Sequence, residues 1–546
     1  WIMKEIKKQI NYAIALSLKT LSFPEKNYSL TPPKNNAFGD LSSNIALLLS
    51  KDLNKSPMDI GEIIINQLQR KLDKNISSIT LKNPGFINFV IHNKFYQSQI
   101  LNILREKTKY GKGNQGSGQT ANVEFVSANP TGPLTIGHGR NAVLGDTISN
   151  ILEWQNFKVT REYYFNDAGR QMRILAQSVR ARYFELLGKE IKFPEDGYQG
   201  KYIKDIAQTI LEENGENLTT KSKIFKIKAE SIIFKDIKHS LKALGIKFNQ
   251  FTNEKTFYEN GDIERLISRL REKKLIYEKD NATWFKTSVL GKTQDRVYIK
   301  ATGEPTYRVP DTAYHINKIK RKYDLIIDIF GSDHADAYPD VITALKALGY
   351  KTSHIKVLIY QFVTLLKDGK KMKMSTRKGD FVSLDKLVEE VGIDVVRYFF
   401  IMRSMNSHLD FDINLAKDNS DQNPVFYLQY AHARICNVIH RFNNTNKVSN
   451  DIFNSSLLIE NDEINLIKYL TRFPEYIDMA YENLEPQNIV NYLQELSTRF
   501  HKFYNSCRVI TDNLELSNSR IALVKATKIV LKNGFSILGI TAPEKM

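Results

Sequence analysis

The 546-residue sequence predicts a multidomain α/β fold: a parallel-sheet domain interrupted by a helical insertion, with a small α/β domain ahead of it and a helix bundle behind. Three observations carry that expectation. The chain is several times longer than one hydrophobic core usually spans, at roughly 100 to 200 residues per domain. From Asn122 onward the apolar patterns run strand, helix, strand, helix, the order of βαβ units. Beyond about residue 400 the strand patterns stop, and the apolar repeats have helical spacing.

The elements follow in order. Residues 1–112 alternate helical patterns such as INQLQRKLD with the strand patterns SSITLKN and GFINFVIH, broken by Pro-Gly and Gly-Asp turns. The polar, glycine-rich stretch YGKGNQGSGQTAN (Tyr110 to Asn122) reads as the linker to a second domain. In that domain, residues 113–400, strands are expected in NVEFV, FKVTREYYFND, YDLIIDIFGSDHADAYPD and IKVLIYQFV. Helices between them make a Rossmann-like parallel sheet. Residues 188–290 are lysine-rich and mostly helical in pattern, an insertion that interrupts the sheet without ending it. Residues 401–546 carry four long helical patterns, from PVFYLQYAHARICNVIHRF to SRIALVKATKIVLKNGFSILG, and read as a helix bundle.

Composition narrows the class of partner. The hydrophobic fraction of 42% and charged fraction of 25% are those of a folded chain and exclude disorder as the default. Lys and Arg number 78 against 60 Asp and Glu, a formal charge of +18. Such an excess suits a polyanion, since each cation that meets a phosphate releases a condensed counterion, but it equally describes a solvated lysine-rich surface. No apolar run reaches the length of a membrane-spanning helix, and the start, WIMKEIKKQINYAIALSLKTL, is charged and amphipathic, so no membrane association and a cytoplasmic location are expected. Cys436 and Cys507 are far apart with no CxxC, which disfavours disulfides and a cysteine-rich zinc site; no protein-bound zinc or other metal is expected.

The chemistry concentrates in Ser127 to Ala142, SANPTGPLTIGHGRNA, a proline- and glycine-rich junction between the strand NVEFV and a helix. A helix N-terminus offers unpaired backbone N–H groups and partial positive charge, and small residues let phosphate oxygens approach it. Three readings fit. The segment is a tight turn with His138 capping or buried. It is the dinucleotide fingerprint GxGxxA (Gly137 to Ala142), with Glu162 about 20 residues on to hold a ribose. Or it holds a nucleoside triphosphate, the base against Gly137 and a phosphate on His138. A second basic segment, Lys367 to Lys378, KDGKKMKMSTRK, would close as a mobile loop over a pyrophosphate leaving group.

PTGPLTIGHGR paired with KMSTRKG, in a split parallel-sheet domain followed by a helix bundle, resembles the two signature motifs of class I aminoacyl-tRNA synthetases. More narrowly, VEFVSANPTGPL, YYFNDAGRQ, TYRVPDTAYH, GSDHADAYP, FYLQYAHARI and the terminal LGITAPEKM resemble bacterial arginyl-tRNA synthetases, and FGDLSSNIALLLSK and NPGFINFVI resemble that family's N-terminal domain. The likeness runs over nearly the whole chain. Two positions depart from the family pattern: Thr135 stands for the first histidine of His-x-Gly-His, and Thr376 for the last lysine of Lys-Met-Ser-Lys.

The resemblance implies a monomeric arginine-tRNA ligase with L-arginine, ATP with Mg2+ and tRNA(Arg) as partners, and activation of arginine only once tRNA is bound. It assigns catalysis to His138, Thr135, Lys373 and Arg377, and ATP binding to Pro130, Gly137, His138, Gly139, Lys373, Met374 and Ser375. Arginine would meet Glu124, Asn129, Tyr307 and Asp311, because a guanidinium seeks carboxylates in its plane. The tRNA would meet Phe38 and Asn44 in an elbow-binding N-terminal domain, and Tyr427, Tyr430 and Arg434 in an anticodon-binding bundle, where aromatic and guanidinium planes suit splayed bases. Two other functions stay open on the residues alone: a nicotinamide-dependent oxidoreductase using GHGRNA and Glu162, and an RNA-binding paralogue without activity. Protection by NADH against unfolding favours the first, and absence of charging with every amino acid favours the second.

Overall fold

The computed structural model describes residues 2–69, 74–372, 382–444 and 453–546. Lys373, Met374, Ser375, Thr376 and Arg377 therefore lie outside the described residues. The central layer is a five-stranded, all-parallel sheet in the order Ile355–Tyr360, Leu325–Gly331, Thr120–Glu124, Lys158–Phe165, Gln250–Asn253. The chain enters at the central strand, winds outward through Lys158–Phe165, and later returns to the opposite side at Leu325–Gly331. Strand order thus reverses between Thr120–Glu124 and Leu325–Gly331, and a crevice opens beyond their carboxyl ends, where α/β sheets bind ligands.

The central strand TANVE is covered on both faces, as parallel strands are, so Asn122 and Glu124 are as buried as Ala121 and Val123. The helix that follows, Ile136–Trp154, is buried almost all round. Two of its glycines permit that close packing: a Cβ at Gly145 would lie 2.1 Å from Phe125 Cγ, and one at Gly139 would lie 2.6 Å from a methyl of Leu384.

Ahead of the sheet, residues Leu30–Thr31, Leu41–Ser43, Phe86–Ile91 and Ile76–Lys82 form a four-stranded antiparallel sheet in that order, packed with helices that include Pro57–Leu68 and Asn93–Glu106. Behind it, helices Pro424–Asn444, Asn461–Leu470, Phe473–Asn483, Gln487–Ser506 and Leu514–Leu538 make the bundle. The last of these also packs on Asn93–Glu106 and on Ile136–Trp154. The buried amide of Asn533 donates to the carbonyls of Lys107 (2.9 Å) and Tyr110 (3.1 Å), tying the linker to the bundle.

Two short strands depart from the sequence reading. Gln250–Asn253, inside the segment read as an insertion, is an edge strand of the parallel sheet. Leu409–Asp412, beyond the point where strands were expected to stop, pairs in parallel with Val363–Lys367. Four residues are too few to show a period of their own; each becomes a strand because a neighbouring edge supplies the hydrogen-bonding register.

Candidate active site

The crevice at the strand-order reversal is a cavity of about 360 Å³. Its wall begins in the turn after the central strand. Val126 and Ser127 hold φ of +66° and +45°, conformations that cost a non-glycine residue, above all a β-branched one, of order 1–3 kcal/mol. The surroundings over-determine this turn. Asn141, on the helix Ile136–Trp154, accepts from the Val126 N–H (2.9 Å) and donates to the Ile329 carbonyl (3.0 Å). The Ser127 hydroxyl donates to Glu124 (3.0 Å) and accepts from the Tyr164 N–H (3.1 Å).

The helix bearing the first motif starts with a capping box. Thr135 Oγ1 accepts from the backbone N–H of His138 (3.4 Å), and the ring Nδ1 of His138 accepts from the Thr135 N–H (3.2 Å). Burial lowers the imidazole pKa to about 4, against a smaller opposing pull from Asp333, so His138 is neutral at physiological pH. With Nδ1 accepting, the proton sits on Nε2, and His138 lines the cavity. The segment following the second motif returns beside this box. The Leu384 N–H donates to the Leu134 carbonyl (2.9 Å), and Ser383 bridges to Thr135. The backbone thus brings Ser383 and Leu384 beside the first motif across nearly 250 positions.

Beneath the cavity lies a buried charge cluster that the sequence reading missed. Lys318 Nζ bonds both Glu124 and Asp328, with all three side chains out of water. His315 spans the Asp311 carbonyl (2.7 Å) and the Asp328 carboxylate (2.9 Å). Both partners are acceptors, so both ring nitrogens carry protons, and Asp328 outweighs burial to raise the imidazole pKa. Burial works against ionised Asp328, yet Lys318 and His315 hold its carboxyl well below the usual range. Burial, reinforced by Asp328 and only partly offset by Lys318, pushes the Glu124 carboxyl up. Asp311, His315 and Lys318 are spaced i, i+4, i+7 on the helix Arg308–Lys320, a one-face pattern the sequence did contain.

Asp311 differs from its neighbours. Among the described residues no side chain or backbone N–H bonds its carboxylate, which lines the cavity. Burial, reinforced by Glu124 and Glu254 and opposed by His315 and Lys318, pushes its pKa up to about 7. It sits inside its helix rather than at its N-cap, which is Tyr307. Glu254, also unforeseen, lines the same wall and is fixed by the Tyr164 hydroxyl (2.9 Å) and the Asn166 amide (2.8 Å). Tyr307 stands at the rim, 54% exposed, with the Arg308 guanidinium 4.9 Å from its ring. Asn129 lines the wall and bonds the Asn166 N–H and Gln171.

The remaining sequence-predicted residues divide. Thr135, Pro130, Gly137 and Gly139 surround the helix start but are not among the cavity's lining residues, and Gly139 is buried against Leu384 and Phe400. Glu162, the ribose ligand of the dinucleotide reading, has no exposed surface. It is committed to Arg321 (2.8 Å), Asn122 (2.6 Å) and Thr252 (2.6 Å), and a side chain so satisfied cannot receive a ribose. In the bundle, Tyr427, Tyr430 and Arg434 are half-exposed on one helix face. Arg434 lies between the rings of Tyr430 (4.7 Å) and Tyr504 (5.0 Å), and His501 stands 4.9 Å from Tyr427. Phe38 is exposed, with Lys82 Nζ 5.7 Å from its ring, and Asn44 accepts from the Ser29 N–H (2.8 Å). Among the described residues no group of three or more His, Cys, Asp or Glu could hold a metal ion, and no helix is long and apolar enough to cross a membrane.

A parallel sheet whose reversal point faces a histidine-bearing helix start is the arrangement expected of a class I tRNA synthetase. Residues 99–397 match the family described as tRNA synthetases class I (R), catalytic domain. Residues 4–91 match the arginyl tRNA synthetase N terminal domain and residues 428–546 the DALR anticodon binding domain. The chain belongs to the arginyl-tRNA synthetase family. An arginine-tRNA ligase of Desulfotalea psychrophila is 46% identical over 95% of both chains, and one of Chlorobium phaeobacteroides is 48% identical over 96% of both. The solved arginyl-tRNA synthetase of Thermus thermophilus, 20% identical, shares the fold with a TM-score of 0.77 over 99% of this chain and 100% of its own.

Proposed function

We propose that the chain is an arginine-tRNA ligase that activates L-arginine with ATP, taken as its magnesium complex, and transfers it to tRNA(Arg). The observation that carries the specificity is the Asp311 carboxylate: an acid facing a cavity without a protein partner calls for a cation, and a guanidinium offers paired N–H donors in one plane. Glu124, held by Lys318, Asn129 and the rim residue Tyr307 complete the arginine site.

In the first step an oxygen of the arginine carboxylate attacks the α-phosphorus. A P–O bond forms, the bond to the β-phosphate breaks, and pyrophosphate leaves. The neutral His138 donates from Nε2 to the phosphate, and Thr135, Pro130, Gly137 and Gly139 shape the helix start that receives ATP. Lys373, Met374, Ser375 and Arg377 of the second motif serve ATP, with Lys373 and Arg377 bringing cations to its phosphates. In the second step a terminal ribose hydroxyl of the tRNA attacks the arginyl carbonyl, an ester forms and AMP leaves with the mixed anhydride bond. Positioning and electrostatics supply the rate enhancement.

Residues 1–112 serve as the tRNA elbow-binding domain, with Phe38 and Asn44 toward the RNA. Residues 113–400 form the catalytic domain, interrupted over 188–290, and 401–546 the anticodon-binding bundle, with Tyr427, Tyr430 and Arg434 toward the bases. The enzyme works as a monomer, as the family resemblance implies, and the two unpaired cysteines suit the cytoplasm. Binding of tRNA precedes activation.

Charging assays with each amino acid in turn, with tRNA(Arg) present, test the reading. Arginine alone should be esterified. Charging of a different amino acid, or no charging at all, overturns it.

A further inference from the structure

Thr135 occupies the position where the family motif carries a histidine, and its surroundings give it a different task. The ring Nδ1 of His138 receives the Thr135 N–H at 3.2 Å and lies 3.2 Å from the Thr135 hydroxyl oxygen. That oxygen already accepts from the His138 backbone N–H, so its own proton is free to point at Nδ1. The backbone N–H can only donate, and the hydroxyl, able to donate or accept, turns its proton to the same ring nitrogen. A proton on Nδ1 would face that N–H, so the imidazole takes the form protonated on Nε2.

We propose that Thr135 is a positioning residue whose backbone N–H and donating hydroxyl together fix the tautomer of His138, presenting an Nε2–H donor to the α-phosphate of ATP. This rests on the ligase reading above. Of the other titratable groups, Asp333, after the strand Leu325–Gly331, acts on the ring, while Tyr338, on the helix Tyr338–Ala347, and Tyr360, on the strand Ile355–Tyr360, line the same cavity. Both described hydrogen-bond contacts of Nδ1 come from Thr135, so the choice of tautomer falls to it. A neutral donor that neither gains nor loses its proton near pH 7 keeps the same hydrogen bond from ground state to transition state. The helix start supplies the positive potential.

Thr135→Asp separates the two roles of the side chain. A carboxylate still accepts from the His138 N–H, so the cap and the fold persist. It cannot donate to Nδ1, and it draws a proton there instead. As a neutral ring, His138 then turns a lone pair rather than a donor toward the phosphate. Thr135→Ser retains both the acceptor and the donor.

The test reads the ring directly. In ligand-free enzyme labelled with 15N-histidine, with His138→Gln identifying the signal, parent and Thr135→Ser should show unprotonated Nδ1 and protonated Nε2 across pH 6–8. Thr135→Asp should show protonated Nδ1. In tRNA-dependent ATP-pyrophosphate exchange, Thr135→Asp should lose at least about tenfold in kcat at pH 8, with the loss shrinking as pH falls and the ring becomes imidazolium. The KM for arginine should stay within about twofold. Unchanged ring signals in Thr135→Asp, or a parental exchange rate at every pH, overturn the proposal and leave Thr135 a helix cap. Because the ring signals need no substrate, they stand or fall independently of which amino acid is activated.

Discussion

The ammonium of Lys318 meets the carboxylate of Glu124 beneath the cavity floor, joining two residues 194 positions apart with neither side chain in contact with water. The same ammonium reaches Asp328 on the adjacent strand. The central strand, its neighbour and the helix Arg308–Lys320 are thereby held at one point, directly under the site proposed for the guanidinium.

Removing that cation strands two buried carboxylates. Lys318→Met should cost about 3–5 kcal/mol, the usual loss when one member of a buried pair is deleted. Lys318→Met combined with Glu124→Gln should recover a large part of it, because Asp328 keeps His315. Thermal unfolding of the intact chain at neutral pH measures both. A single variant within about 1 kcal/mol of the parent would show that water reaches the cluster.

Asp311 should reveal opposed demands of binding and stability. Its folded pKa, pushed up to about 7, lies above an unfolded value near 3.9. The contribution to stability is therefore fully present below about pH 4 and lost as pH rises through 7. Asp311→Asn, uncharged throughout, should unfold at a higher temperature than the parent at pH 8, and the gap should close by about pH 4. Arginine needs the ionised form, so parent affinity should weaken by up to about tenfold per unit as pH falls below 7. Asp311→Asn should raise the KM for arginine well over tenfold while ATP still protects against unfolding. An unchanged KM removes Asp311 from the pocket.

Arg397 fastens three segments. Its guanidinium donates to Asp146 (2.7 Å) on the motif helix and to the carbonyls of Leu244 (2.9 Å) and Leu538 (3.0 Å), each at a helix carboxyl end. Arg397→Met should cost about 2–5 kcal/mol. Gly539, at φ +68°, faces the same group: a Cβ there would lie 2.2 Å from Arg397 Nη2. Gly539→Ala should therefore destabilise the bundle junction, and the double variant should lose less than the sum of the singles. Calorimetry on the four proteins decides. Strict additivity would mean the two residues do not share this contact.

The bundle face makes a separable prediction. Arg434 is held between Tyr430 and Tyr504, so its planar group is presented rather than left mobile. Arg434→Ala should raise the KM for tRNA by about tenfold, near 1.4 kcal/mol, with kcat at saturating tRNA within about threefold. Arg434→Lys should restore little, since an ammonium cannot stack as a guanidinium does. Parental tRNA affinity in both variants would reduce Arg434 to packing.

Much of the fold was legible because it rests on local signals. Strand and helix patterns from Asn122 to Gln361 put four of the five sheet strands in place, and the motif SANPTGPLTIGHGRNA falls at the strand-to-helix turn where it was expected. The strands Gln250–Asn253 and Leu409–Asp412 were not legible, since pairing with a distant edge, not their own four residues, makes them strands. Of the site, Glu124, Asn129, His138, Tyr307 and Asp311 could be named from motif resemblance and all line one cavity. Lys318, Asp328, His315 and Glu254 could not be so named, although helical spacing already put two of them, His315 and Lys318, on one face with Asp311.

What the sequence determined by itself is the order of elements, the placement of the first motif and the acidic character proposed for an arginine pocket, because periodicity and turn chemistry act over a few residues. What only the tertiary structure decided is the charge state of each group. Glu124 faces Lys318, Glu162 is closed off by Arg321, His138 is neutral with its proton on Nε2, and Asp311 lines the cavity with no hydrogen bond to its carboxylate among the described residues. Those states depend on desolvation and on partners brought from far along the chain, and neither quantity exists until the chain is folded.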